Sequence, residues 1–187
     1  MNLIETFQDL VAQVPEFIQP LIVAAAGAVP FIEGEGAAAI GIIGGIPPVV
    51  AAIAAILGNF ICVAVLVFLS AGARNAVVSR HHAKVQAREA VAVSSGGPAA
   101  PVLIEGEADE SERKAARRAK LQRALERYGV PGVSLLGPLL LPTQFTATML
   151  AAAGIGRARI LIWQGIAIIG WTTLVTLIIT GAIYAVA

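Results

Sequence analysis

The chain has 187 residues, of which 57% are hydrophobic and only 13% charged, with a formal net charge of +1 and a mean hydropathy of +0.81. Soluble domains carry about 25% charged residues, so the composition excludes an ordinary soluble enzyme and predicts an integral membrane protein. No nucleic-acid partner is expected, and the single cysteine, Cys62, cannot form an internal disulfide.

The N-terminal stretch 1–17 reads as an amphipathic helix lying in the membrane interface. Leu3, Phe7, Leu10, Val11 and Val14 recur at helical spacing, with Glu5, Gln8, Asp9 and Gln13 between them, until Pro15 breaks the pattern. It carries no Lys or Arg and no small-residue cleavage pattern, so no cleaved signal peptide is expected. Residues 18–31 are apolar but short and hold Pro20 and Pro30. They form either a short spanning helix or one arm of a hairpin.

The segment Phe31-Ile-Glu-Gly-Glu-Gly-Ala-Ala-Ala-Ile-Gly-Ile-Ile-Gly-Gly-Ile-Pro-Pro48 is glycine-rich and broken by Glu33 and Glu35. It is too short for a clean span, which takes roughly 20 apolar residues. Carboxylates at membrane depth are costly and mark functional sites. The plainer alternative leaves both wetted in a surface loop. Two desolvated carboxylates this close do not both stay ionised easily, which suits a group that binds and releases protons.

Val49–Ala71 is the first full transmembrane helix: 23 uncharged residues with Asn59 as the strong polar group. Asn59 offers either a bond between helices or a ligand contact. Residues 74–129 then hold eleven of the thirteen basic residues. That places the loop in the cytoplasm by the positive-inside rule, with a linker over 94–106 and a helix over Asp109–Arg127. The pair His81-His82 lacks further ligands, so no metal and no cofactor are expected.

Residues 130–187 repeat the architecture. Pro138 and Pro142 break an apolar stretch that continues with Thr143, Gln144, Thr146 and Thr148. Ile160–Ala187 is the second full helix. Trp163 and Tyr184 bracket roughly 31 Å of it, about one hydrocarbon thickness. Gln164, Ile168, Thr172, Thr176 and Thr180 form a stripe at spacing four, for packing or for lining a pathway.

A shift of 109 residues superposes Pro30–Gly45 on Leu139–Gly154 and Glu35 on Gln144. One crossing per unit inverts the second copy. The expected fold is therefore all-α integral membrane, an inverted repeat of two units (18–73 and 130–187). Each unit is a Pro/Gly-broken re-entrant hairpin followed by one transmembrane helix. Broken segments at matching positions of inverted repeats point to a transporter site near the midplane.

The pattern Phe31-x-Glu33-x-x-Gly36-Ala37-x-x-Ile40-Gly41-x-x-x-Gly45-x-x-Pro48, with Gly58-Asn59, resembles the small multidrug export protein family. So does Arg127-Tyr128-Gly129 ahead of a proline-broken segment and the Ala-Gly-Ile-Gly-Arg157 turn. That family is similar to the DedA (VTT-domain) membrane proteins, and the resemblance covers about residues 28–181. It implies two facing re-entrant hairpins and a role in lipid-phosphate translocation. Two departures remove a cation that could meet a phosphate. The run after Glu33 reads Glu35-Gly36-Ala37 where relatives often carry arginine. Pro142 is followed by Thr143 and Gln144 where DedA proteins carry arginine.

The expected function is a bacterial cytoplasmic-membrane, multi-pass transporter. It moves a small amphipathic molecule or lipid phosphate, coupled to ions or protons through an intramembrane carboxylate. Glu33, Glu35, Asn59, Thr143, Gln144 and Arg157 are the candidate binding residues. Membrane lipids are expected partners, and a homo-oligomer is expected because two helices and two hairpins enclose a cavity thinly. The alternative is a non-transporting oligomeric membrane protein that supports envelope integrity. An intramembrane enzyme ranks last, because no nucleophile–base pair or metal-ligand cluster is visible.

Overall fold

The computed structural model describes residues 3–95 and 127–186, with side chains for 3–70, 72 and 127–185. Among the described residues there are helices and no strand. In chain order they are α1 (Leu3–Gln13), α2 (Gln19–Gly27), α3 (Glu33–Ile43), α4 (Pro48–Ser95), α5 (residues 127–136), a 3-10 turn (Gly137–Leu139), α6 (Thr143–Ala152) and α7 (Arg157–Val186).

Among the described residues, two stretches are long and apolar enough to cross a membrane, Pro48–Ser70 of α4 and Arg157–Ala185 of α7. They run antiparallel. Phe60 lies against Gly165, while Phe68, eight residues on, meets Arg157, eight residues back. Their outer faces are bare hydrocarbon, including Ile53, Leu57, Ile61 and Leu69 on α4 and Ile162, Leu177 and Ile178 on α7. The expected helix at Val49–Ala71 does not stop there. Neither Pro nor Gly occurs from Ala73 to Ser95, so nothing interrupts α4. The first part of the basic segment, with Arg74, Arg80, His81, His82, Lys84 and Arg88, therefore continues the helix instead of forming a loop. The helix expected at Asp109–Arg127 and most of the 94–106 linker lie outside the described residues.

The short helices follow the proline and glycine breaks. Each of α3 and α6 ends at a glycine in the left-handed region, Gly45 and Gly154, both at φ +88°. Beyond each, an isoleucine N–H closes back on the helix: Ile46 to Gly41 O at 3.0 Å, and Ile155 to Leu150 O at 3.1 Å. This is the Schellman arrangement, which needs a residue free of Cβ strain at the turn. The two sets of atoms are 109 positions apart, as are the starts of α4 and α7 at Pro48 and Arg157.

Burial repeats at the same offset. Ala51, Ala55, Asn59, Val63 and Val67 make the inward stripe of α4, and Ile160, Gln164, Ile168, Thr172 and Thr176 that of α7. One apolar cluster joins α1–α4 through Val11, Val23, Ala37, Ile40 and Ala51. The other joins α4, α6 and α7 through Val63, Val67, Ala147, Leu150 and Ile160. Helix α1 docks on the first cluster through Phe7 and Val11, while Leu3, Ile4 and Leu10 stay exposed. Helices α2 and α4 touch backbone to backbone. A Cβ on Gly58 would sit 1.9 Å from Ala24 O, so only glycine fits.

Candidate functional site

The chain enters α3 through a strained turn. Among the described residues, Phe31 (φ 71°) and Glu33 (φ 53°) are the non-glycine residues with positive φ, a conformation L-residues adopt at a cost. This turn aims the Glu33 side chain away from its own helix and onto the start of α6. There the Glu33 Oε1 accepts both the backbone N–H of Thr143 and, at 2.8 Å, its hydroxyl. Pro142, with φ −51° and ψ 143°, is the cap residue of α6 and supplies no side-chain acceptor. The Thr143 N–H is one of the amides that a helix start leaves without an internal partner. Glu33 therefore acts as a cap delivered from 110 residues away, at the end of the helix that favours negative charge.

Two further polar side chains close round this contact. Gln144 Nε2 donates to Asn59 Oδ1 at 3.2 Å, and the Thr143 hydroxyl lies 3.2 Å from the same oxygen. Asn59 Nδ2 is buried without a partner. Glu33, Asn59, Thr143 and Gln144 are each no more than 6% exposed. Asn59 sits halfway along Pro48–Ser70. On the other side, Gly34 abuts Thr172, near the middle of Arg157–Ala185, and a Cβ there would lie 2.1 Å from the Thr172 hydroxyl. The starts of α3 and α6 thus meet at mid-height between the two long apolar helices.

Glu35 is half-buried and faces a different way. It lines, with Glu33, a cleft of about 330 Å3 whose other walls are Phe31, Ile32, Gly36, Pro138, Leu139 and Trp171. Among the described residues, no Lys or Arg lines this cleft. The Trp171 indole N–H is engaged by Leu135 O at 2.8 Å. Of the six residues proposed from sequence, the fold brings Glu33, Asn59, Thr143 and Gln144 into one hydrogen-bonded group and puts Glu35 at its mouth. Arg157 does not join them. It is exposed, lies over the Phe68 ring at 5.6 Å, and stands 15 residues, roughly 22 Å along α7, from Thr172. Its proximity to the Gly-Ile-Gly turn, not to the carboxylates, is what the sequence pattern recorded.

Sequence reasoning missed Gly34 and Trp171 as parts of the site and the orphaned state of the α7 stripe. The Gln164 amide and the hydroxyls of Thr172, Thr176 and Thr180 are buried without partners, as is that of Ser134. Among the described residues, no group of three or more His, Cys, Asp or Glu side chains could hold a metal ion. No family model matches the chain, and no curated protein or solved structure is significantly similar to it.

Proposed function

We propose that the protein is a membrane transporter of the small multidrug export or DedA-like type, with Glu33 as its coupling or substrate-binding carboxylate. On this reading, α2–α3 and α5–α6 are re-entrant hairpins entering from opposite faces, and the chain is an inverted repeat that crosses a bacterial cytoplasmic membrane with α4 and α7. The observation that carries the reading is the Glu33–Thr143 contact. A buried carboxylate joins the starts of two broken helices at mid-height between two apolar helices. Discontinuous helices that meet at midplane are how many secondary transporters build their sites. The recurrence of caps, glycines and buried stripe at 109 residues supports the repeat. Phe68 against Arg157 supports a common basic end for α4 and α7, and hence the cytoplasmic placement of the connecting segment.

The cleft favours an amphipathic cation over a lipid phosphate. Two carboxylates and the aromatic side chains Phe31 and Trp171 line it, and among the described residues no basic side chain does. The deciding experiment is uptake into proteoliposomes, with a panel of amphipathic cations and lipid phosphates, by the native chain and by Glu33→Gln. Normal insertion with abolished transport is expected. Wild-type transport by the Glu33→Gln, Glu35→Gln double variant across a pH series sinks the proposal.

One observation favours the alternative of a non-transporting oligomeric membrane protein. An apolar groove of about 370 Å3, lined by Ala24, Ala28, Gly58, Ile61, Cys62, Val65 and Leu66, runs along the outer face of α2 and α4. A homo-oligomer that seats there fits either function. A scaffold is separated from a transporter by its indifference to Glu33→Gln.

A further inference from the structure

The two halves of the chain differ in the same way at two successive matched buried positions. On α4 the inward stripe below Asn59 continues with Val63 and Val67; 109 positions on, α7 has Thr172 and Thr176. Valine and threonine have nearly the same shape and differ by a methyl against a hydroxyl. Packing alone is therefore met by valine, as α4 demonstrates, and the hydroxyls need another reason. They are no more than 8% exposed, and they, together with that of Thr180 one turn further on, have no hydrogen-bond partner. None even bonds back to the carbonyl a turn earlier, the usual resort of threonine in a helix. Buried polar atoms in native proteins find partners, and ordered water supplies those that protein does not.

The row leads to the site. Thr172 touches Gly34, the neighbour of Glu33, and Thr176 and Thr180 follow at one-turn intervals toward the C-terminal end of α7. Ile179, beside Thr180, packs on the cluster that holds Ala37, Ala38 and Ile40 of α3. Gly34 of α3 thus faces the Thr172 hydroxyl, and α3 and α7 pack together as far as Ile179. Glu33 and Glu35 are the titratable side chains of α3, and α7 has none between Gln164 and Thr180. Toward the other face, Ile168 interrupts the row, and Val63, Val67, Ala147, Leu150 and Ala151 form a dry cluster. Gln164 stands alone beyond that interruption.

We propose that Thr172, Thr176 and Thr180 line a water-filled path from the C-terminal end of α7 to Glu33, and that the matching valine-lined route along α4 and α6 is sealed. The carboxylate then exchanges protons with one face only in this conformation. This rests on the reading of Glu33 as the coupling group, but the path is testable without turnover.

In a Cys62→Ala background, Thr172→Cys, Thr176→Cys, Val63→Cys and Val67→Cys are each reconstituted in sealed vesicles of known orientation and exposed to silver ion, a thiol probe small enough to follow water. Cysteine is close in size to both native residues, and unfolding profiles in detergent verify that each variant is folded. The two α7 cysteines are expected to react from the face of the α7 C-terminus, and the two α4 cysteines to be protected from both faces. Protection of all four, or equal reaction of all four, overturns the proposal. In the transport assay Thr172→Val, Thr176→Val keeps the packing and is expected to lose coupled transport. If Glu33→Gln leaves transport intact while the labelling asymmetry holds, the coupling role fails and the path stands. If Glu33→Gln abolishes transport and the asymmetry is absent, the path fails and the coupling role stands.

Discussion

Removing the Glu33 carboxylate in two ways separates its structural work from its chemistry. Glu33→Ala leaves the Thr143 N–H and hydroxyl without the acceptor they share. In soluble proteins a bond to a charged acceptor contributes about 1.5–3 kcal/mol, whereas interhelical bonds in membranes average about 0.6 kcal/mol. Loss of both bonds, one of them a helix cap, therefore costs roughly 2–4 kcal/mol. Glu33→Gln keeps an oxygen in place of Oε1 as the acceptor for both donors and costs less than about 1 kcal/mol. The left-handed backbone at residue 33 is common to both variants and cancels from the comparison. Reversible unfolding in mixed detergent, followed by circular dichroism, should rank native and Gln together and Ala well below. Transport should rank Gln and Ala together, both inactive. Equal stability of the Ala and Gln variants would refute the capping argument. An active Gln variant would refute the need for a titratable group.

Three other outcomes follow from the same geometry. Reporters fused near Gly97 and after Val186 should be active in the cytoplasm and outside it, respectively. A C-terminus found inside removes the inverted arrangement. An impermeant thiol reagent should label Gly36→Cys, at the cleft, from outside, and leave the 3%-exposed position of Gln144→Cys unlabelled from that face. If cysteines across Gly36–Gly45 all behave as lipid-buried, α3 is an ordinary buried helix and the hairpin is lost. Gly58→Ala should cost about 1–3 kcal/mol by forcing α2 off α4 against Ala24 O, while Gly72→Ala, where nothing lies within 4 Å of a new Cβ, should be neutral or slightly stabilising. Unfolding midpoints of the two variants check this.

How far the sequence carried depended on how local the signal was. The long uncharged runs gave α4 and α7, and the prolines and glycines gave the breaks around α3 and α6, because these depend on residues a few positions apart. The 109-residue shift aligns Gly45 with Gly154, and the hydrogen bonds beyond the two glycines recur at the same offset. What stayed hidden was long-range. Nothing in the chain says that Glu33, not Glu35, reaches Thr143, since that choice is made by a positive φ that local propensity disfavours. Arg157 belongs to the Ala-Gly-Ile-Gly-Arg turn that carries the family resemblance, yet α7 holds it at the far end from the carboxylates. The stripe from Gln164 to Thr180 was legible as a stripe. Its lack of partners was not, because partners come from other helices.

The strained turn bears on the proposed coupling role of Glu33. The second half reaches its helix start through Pro142 in an extended conformation, with no residue from 130 to 153 in the left-handed region. A broken helix of this kind can therefore be built without strain. The first half instead holds Phe31 and Glu33 there, at about 1–2 kcal/mol each. Glycine at 33 removes that penalty, but makes the unfolded chain more flexible by about 0.5–1 kcal/mol. The net relief is about 0.5–1 kcal/mol relative to alanine. Glu33→Gly is thus expected to be more stable than Glu33→Ala and, like it, inactive. Unfolding of the two variants side by side measures the difference. A glycine variant no more stable than the alanine variant means that the turn is not strained, and that the carboxylate sits there at no cost. The predicted order instead leaves Glu33 as a residue held against its backbone preference by its bonds to Thr143, a strain that the proposed coupling role would account for.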